Sequence, residues 1–339
     1  MNGEKKLILP EGYKTPLDIR ETAVAIKKVK DHFERRLAMA LNLTRVSAPL
    51  FVSPETGLND NLNGIERPVA FDVKDLGHAP VEIVHSLAKW KRMALYRYGF
   101  HPGEGIYTDM NAIRRDEVLD NTHSVYVDQW DWERIVTKEE RSKETLREMV
   151  EKLYRVFKDT EKLVTGTYPE LRPTLPDEIT FITAQELEDR FPKLSPKERE
   201  DAITKEKGAV FLMEIGKKLQ SGEKHDGRAA DYDDWSLNGD ILFWFEPLQG
   251  ALELTSMGIR VDGQSLLKQL EEKEETYKKD LEYHRMVLDN TLPLTIGGGI
   301  GQSRICMFFL QKAHIGEVQA GIWPKEMIET CHTHGIPLL

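Results

Sequence analysis

The residues of this 339-residue chain best suited to chemistry lie in Gly297-Gly298-Gly299-Ile300-Gly301-Gln302-Ser303-Arg304. The stretch fits G-x-G-x-G-x-x-R and runs into the apolar segment Ile305-Cys306-Met307-Phe308-Phe309-Leu310. Closely spaced glycines let a backbone approach a flat or bulky ligand, because no Cβ stands in the way. An arginine early in the following helix can set a planar, permanent charge over an adenine ring or against a phosphate. That chemistry is nucleotide binding. The alternative is a plain glycine-rich turn from strand to helix.

Three further constellations bear on the choice. Ile113-Arg114-Arg115-Asp116-Glu117 is followed by His123-Ser124-Val125-Tyr126-Val127-Asp128-Gln129-Trp130-Asp131-Trp132-Glu133. In a strand Gln129, Asp131 and Glu133 share one face. They form either a solvated sheet face or a polar site floor with Arg114 reaching over it. In Glu253-Leu254-Thr255-Ser256-Met257-Gly258-Ile259-Arg260, Glu253 and Ser256 could offer oxygens to a hard cation. Magnesium suits such a sparse set, since it keeps waters and phosphates as its other ligands. Taken alone, the segment reads as an ordinary strand. His85-Ser86-Leu87-Ala88-Lys89-Trp90-Lys91-Arg92 puts three cations in four residues, as a snorkelling helix face or as a carboxylate clamp.

The elements that must position these groups follow from periodicity. Ile19, Ile26, Val29, Phe33, Leu37 and Leu41 predict an amphipathic helix over 18–41. A strand over 44–51 follows, with Pro49 marking an edge or interface position, and then a turn-rich loop over 53–64. Strands are expected at 68–73, 81–85, 105–114, 123–133, 179–183, 209–215, 240–246 and 251–261. Helices are expected at 87–98, 138–165, 265–288 and 302–312, with the charge runs of 138–165 and 265–288 read as solvated faces. Neighbouring strands with short connections favour a mainly antiparallel sheet and an α+β class over regular βαβ units. Nothing resembling a linker divides the chain, so residues 1–339 read as one domain.

Composition narrows the function. The net charge is −10, from 57 acidic and 47 basic residues, which argues against a general nucleic-acid binder. Cys306 and Cys331 are the only cysteines. They give no disulfide framework and no metal-ligand spacing, and Cys306 reads as a core thiol. No signal peptide is visible after Met1, and no apolar run reaches spanning length, so a cytoplasmic protein without a membrane partner is expected.

Taken in order, the helix and strand ending at Pro49, then Arg114 with Asp116-Glu117, then Gly297 to Arg304 resemble the three signature motifs of the class II aminoacyl-tRNA synthetase catalytic domain. Gln129-x-Asp131-x-Glu133 and Glu253 to Arg260 resemble its aspartyl and asparaginyl branch. His85 to Arg92, Ser124 to Glu133 and Asp231-Tyr232-Asp233-Asp234-Trp235-Ser236 are similar to a narrower family, the ammonia-dependent aspartate–ammonia ligases, over essentially the whole chain. One departure is that only Leu237-Asn238-Gly239 separates Ser236 from Asp240, a shorter connection than in some relatives.

The resemblance implies a mainly antiparallel sheet of six to eight strands flanked by helices, in a homodimer whose interface is built on residues 18–51. It implies joining of L-aspartate and ammonia with ATP and Mg2+, through a β-aspartyl-adenylate, to give L-asparagine, AMP and pyrophosphate. Arg114 would then meet the α-phosphate. Arg304 would meet the adenine and γ-phosphate, with Gly299 and Gly301 beside the nucleotide. Glu253 and Ser256, with Asp240 behind them in rank, would hold the metal. Lys91 and Arg260 would hold the α-carboxylate of a substrate lying reversed relative to the tRNA enzymes. Ser86, Gln129, Asp131 and Asp233 would complete the pocket, and Asp60 would meet ammonium and take its proton. From the residues alone Asp60 is a turn residue. Free ammonia is the expected donor, because position 2 is Asn2 and both cysteines lie near the C-terminus. A tRNA synthetase is the rival enzyme. The first-motif helix arrives by about residue 18, which leaves no room here for an anticodon-binding barrel. A regulatory protein that binds without catalysis is the other alternative, and Arg114, Glu253 and Arg304 together count against it.

Overall fold

Asp18 opens the first helix. Its carboxylate accepts from the Glu21 N–H while Glu21 reaches back to the Asp18 N–H, a reciprocal cap that satisfies two otherwise orphaned donors. The computed structural model describes residues 7–60, 62 and 66–339. The reading of the extreme N-terminus, Asn2 included, therefore lies outside the described residues, as do positions 61 and 63–65 of the turn-rich loop.

In chain order the elements are α1 (Ile19–Leu41), β1 (Leu43–Arg45), β2 (Phe51–Val52), β3 (Ala70–Val73), β4 (Ala79–Ile83), α2 (Ala88–Arg97), β5 (Gly105–Ile113), β6 (Tyr126–Ile135), α3 (Lys143–Thr167), β7 (Thr180–Thr183), α4 (Ala184–Arg190), α5 (Pro196–Lys207), β8 (Ala209–Met213), β9 (Asp233–Phe245), β10 (Gly250–Arg260), α6 (Gly263–Glu272), α7 (Glu282–Leu288), β11 (Thr295–Gly301), α8 (Gln302–Phe309) and α9 (Lys325–Thr333). One sheet has the order β1-β5-β6-β11-β10-β9-β8-β7 and a second has β2-β4-β3. The large sheet is antiparallel through its middle and parallel only at its margins, where β1 joins β5 and β7 joins β8. The α+β expectation and its eight strands hold, with that mixed edge added.

Three expected elements differ. The strand over 44–51 is two short strands in different sheets, with Val46 making the last bond to β5, to the Tyr107 carbonyl at 2.9 Å, and Pro49, which has no N–H to give, in the connection between them. The helix over 265–288 is α6 and α7, broken where Glu274 takes a positive φ of 59°. The strand over 240–246 starts earlier, at Asp233, so Asp233–Ser236 belongs to it. Helices α4, α5 and α9 were not anticipated, although Ser195 with Pro196 and Glu198 is a legible helix start.

The sheet divides the molecule. Trp130 and Trp132 of β6 point into a core shared with α1, α3 and α8, where Phe33 stacks on Trp130 at 5.0 Å. Gln129, Asp131 and Glu133 take the other face, as alternation requires. That face is flanked by α2, α6 and α7, which bury Met93, Trp235, Val261, Leu266 and Tyr283 together. Cys306 and Cys331 are free and buried. Among the described residues no helix is long and apolar enough to cross a membrane.

Candidate active site

The glycines of β11 explain the site floor. Gly297, Gly299 and Gly301 stand opposite Glu133, Asp131 and Gln129 of β6, and Gly299 and Gly297 stand opposite Ser256 and Gly258 of β10. None of these glycines has a positive φ. Their use is space: a Cβ on Gly297 would lie 2.0 Å from Glu133 Oε2, and one on Gly299 would lie 2.5 Å from Gln129 Oε1. The stretch is thus a strand, not a turn, and its missing side chains leave room for those of its neighbours.

Glu253 and Ser256 are three apart, so on an unbroken strand they would face opposite ways. The pairing of β10 with β9 shifts register between Glu253 and Thr255, and this bulge turns both toward one cavity. The cavity has a volume of about 770 Å3. Its wall includes Asp60, Ser86, Lys91, Arg114, Gln129 and Asp131, and also Asp233, Glu253, Ser256, Arg260, Gly299, Gly301 and Arg304. Of the candidate residues only Asp240 is set back from the wall.

Two charged groups occupy the cavity. In the first, Arg260 donates to both Glu133 oxygens, at 2.9 and 2.7 Å, and to Asp233. Thr295 donates to Glu133 at 2.6 Å. Lys91 donates to Asp131 Oδ1 at 2.5 Å and to the carbonyls of Trp132 and Gly298 at 3.0 and 3.3 Å. Lys89, Lys91 and Arg92 are all buried, so the snorkelling reading of α2 fails. Burial drives the Lys91 ammonium pKa down, against the pull of Asp131 and Glu133. Burial would raise the Glu133 carboxyl, but Arg260 and Lys91 outweigh it and hold it low. Two cations face Asp131, Glu133 and Asp233, and burial raises the Asp233 carboxyl against the pull of Arg260.

In the second group, Arg304 donates to the Glu253 carbonyl at 3.0 Å and to His123 Nε2 at 3.1 Å. Its guanidinium lies 3.8 Å from the Glu253 carboxylate. The Nε of Arg114 is buried without a hydrogen-bond partner among the described residues. Arg228, on the same wall, pairs with Asp240 and with Asp226 at 2.7 Å. Asp240 Oδ1 is also buried without a partner. Burial, helped by Glu253, pushes the Asp240 carboxyl up to about 7 against the opposing Arg228. Arg228 was missed in the sequence because residues 221–232 carry no period and no spacing that singles it out.

A Mg2+ ion fits this second group. The Glu253 carboxylate and the Ser256 hydroxyl are hard oxygen donors on one wall, and the Asp240 carboxylate, set back from that wall, has one oxygen without a partner among the described residues. Among the described residues no group of three or more His, Cys, Asp or Glu side chains is arranged to hold a metal ion. An ion here would complete its shell with phosphate oxygens and water.

Asp60 stands apart from both groups. Its Oδ1 accepts from the Leu62 N–H at 2.8 Å, the turn contact expected of it, while Oδ2 is buried and has no partner among the described residues. Burial is the main cause that raises its carboxyl above the usual range, with Lys89 opposing. Behind it Asp231 accepts from Lys89 and from His284, both at 2.9 Å.

The family model described as aspartate-ammonia ligase matches residues 20–335. An aspartate–ammonia ligase of Clostridium tetani is 66% identical over 335 residues, 99% of this chain and 98% of that protein. One of Ruminiclostridium cellulolyticum is also 66% identical, over 98% of this chain and 99% of its own. The chain belongs to the aspartate–ammonia ligase family. Among solved structures, the asparaginyl-tRNA synthetase of Pyrococcus horikoshii complexed with asparaginyl-adenylate superposes with a TM-score of 0.63 at 17% identity, covering 90% of this chain and 71% of that one. The Entamoeba histolytica asparaginyl-tRNA synthetase gives 0.62 at 13%, covering 89% and 66%. These likenesses show the fold: a ligase family built on the class II synthetase sheet.

Proposed function

We propose that this chain joins L-aspartate and ammonia at the cost of ATP, giving L-asparagine, AMP and pyrophosphate through a β-aspartyl-adenylate. The observation that carries the finer reading is the meeting, in one cavity, of Arg114, whose Nε has no partner among the described residues, Arg304 and the Glu253 and Ser256 oxygens with the buried Lys91–Arg260 cluster and Asp60. A carboxylate is a poor acyl donor, and attack on the α-phosphate makes it a better one. Arg114 stabilises the charge that gathers on that phosphate. Arg304 holds the adenine end and γ-phosphate, and Gly299 and Gly301 let the nucleotide lie close to β11. Glu253 and Ser256, with Asp240 behind, would hold Mg2+, which would supply neutralisation of phosphate charge.

Lys91 and Arg260 hold the substrate α-carboxylate. Three of the five guanidinium N–H groups of Arg260 are engaged, which leaves two for a ligand. Lys91 can offer the N–H of its 3.3 Å contact to Gly298. Asp131 and Asp233 face the α-ammonium, Ser86 and Gln129 close the pocket, and the β-carboxylate is directed toward Arg114. Asp60 then accepts a proton from the incoming ammonium.

The protein acts as a cytoplasmic homodimer over residues 18–51 and uses no nucleic acid. With aspartate, ATP, magnesium and ammonium, the expected nucleotide product is AMP. ADP and phosphate would refute the adenylate route. Added tRNA should change nothing, and sedimentation should give a dimer.

A further inference from the structure

The ammonia end of the cavity holds a second unpartnered acceptor. His85, at the entry to α2, is buried and lines the same wall as Asp60. Its Nδ1 lies 3.0 Å from the Asp60 carbonyl oxygen. A carbonyl can only accept, so Nδ1 carries the proton and neutral His85 keeps a lone pair on Nε2. Among the described residues that Nε2 has no hydrogen-bond partner, and neither has Asp60 Oδ2. Orphaned buried polar atoms are rare in folded proteins, and each needs a reason. Asn59 fixes the two residues against each other, because its Oδ1 accepts the N–H of Asp60 at 2.9 Å and of His85 at 3.0 Å.

The chemistry of the second half-reaction asks for two such atoms. Ammonium attacks as ammonia, so one proton must leave before attack. The C–N bond then forms, the C–O bond to phosphate breaks, and AMP departs with the electron pair. A second proton must leave the nitrogen to give the neutral amide. Ammonium and the acyl-adenylate thus become amide, AMP and two protons.

We propose that His85 is a catalytic residue of the ammonia step, its Nε2 binding the nucleophile and taking one of these protons while Asp60 takes the other. The inference rests on the adenylate reading of the cavity. Asp60 offers charge that draws ammonium in. His85 adds direction, since its ring is held by the Asp60 backbone and cannot turn away without breaking that bond. Protonated on Nε2, the imidazolium still donates Nδ1–H to the same carbonyl, so the geometry survives the transfer.

The test compares His85→Asn and His85→Gln in the full-length protein. An asparagine amide N–H can replace Nδ1–H but leaves nothing at Nε2. A glutamine amide oxygen can reach the Nε2 position but gives up the Nδ1 bond. Aspartate-dependent pyrophosphate–ATP exchange is measured without ammonium, and asparagine formation is measured across ammonium concentrations. His85→Asn should keep exchange within about twofold and lose about tenfold or more in kcat/KM for ammonium, the scale of a missing buried hydrogen bond. Hydroxylamine is neutral at the assay pH and sheds one proton, so it should restore much of that loss. His85→Gln should use ammonium better than His85→Asn does. It also keeps the test available if the asparagine variant does not fold. Wild-type ammonium use by His85→Asn, the reverse order of the two variants, or equal loss of exchange and synthesis would overturn the proposal. Absence of exchange in the wild-type protein would instead refute the adenylate reading itself.

Discussion

Gly297→Ala tests whether β11 is glycine-rich to make room for a buried charge pair. The new Cβ would lie 2.0 Å from Glu133 Oε2 and 2.6 Å from Arg260 Nη2. Neither partner can swing aside freely. Glu133 is fully buried and held by Arg260 and by Thr295 at 2.6 Å, and Arg260 is tied to Asp233 as well. Overpacking a methyl usually costs about 1–3 kcal/mol. Pulling a buried ion pair apart costs about 3–5 kcal/mol. A loss of about 3 kcal/mol is expected, a large part of a typical domain's 5–15 kcal/mol. Gly301→Ala is the control, because its Cβ would come no nearer than 3.3 Å to Arg304 Cβ. It should change stability by about 1 kcal/mol or less. Urea unfolding at constant slope gives the two midpoints, and aspartate titration of pyrophosphate–ATP exchange reads the site. Equal midpoints with equal aspartate dependence would refute the reasoning.

Other perturbations separate the remaining roles. Asp60→Asn should retain pyrophosphate–ATP exchange and lose about 10²–10⁴-fold in asparagine formation; equal loss of both would make Asp60 a positioning residue. Arg304→Ala should raise the ATP requirement with an unchanged thermal melt, and Glu253→Gln should raise the magnesium requirement; unaltered titrations of both would remove these residues from the nucleotide site. Asp231→Asn addresses pH. Burial would raise this carboxyl, but Lys89, His284 and Lys278 hold it far below the usual range, so its stabilisation is present above about pH 4 and fades as pH falls below that. The variant should be about 3–5 kcal/mol less stable than wild type at neutral pH, and the gap should shrink below pH 4; a constant gap would refute the assignment.

Much of the architecture was legible because it is written in local order. The alternation of Gln129, Asp131 and Glu133 with Trp130 and Trp132 put the three polar residues on one face of β6 before any partner strand was known, and left open whether that face meets solvent or a site. The apolar spacing over 18–41 predicted the first helix, which the structure places at Ile19–Leu41. Long-range contact erased other readings. Lys89, Lys91 and Arg92 look like a solvated face in sequence. They are buried because Asp231, Asp131 and the carbonyls of Val261 and Pro293 come to them from distant segments.

The same reasoning shows why spacing alone under-determines this site. Glu253 and Ser256 share a wall only through a bulge that is visible in the pairing of β10 with β9 and not along β10 itself. Gly299 serves Gln129 and Asp131 on β6 while standing opposite Ser256 on β10. Its identity is therefore a property of three strands that lie far apart in the chain. Arg228 reaches the cavity from a loop and is recognisable only once Asp240 is known to sit beneath it. A motif read along one strand is the trace of side chains on its neighbours. The β11 glycines mark where buried charges from β6 and β10 must pass, and the nucleotide binding proposed for Gly299 and Gly301 would be a second use of space already cleared.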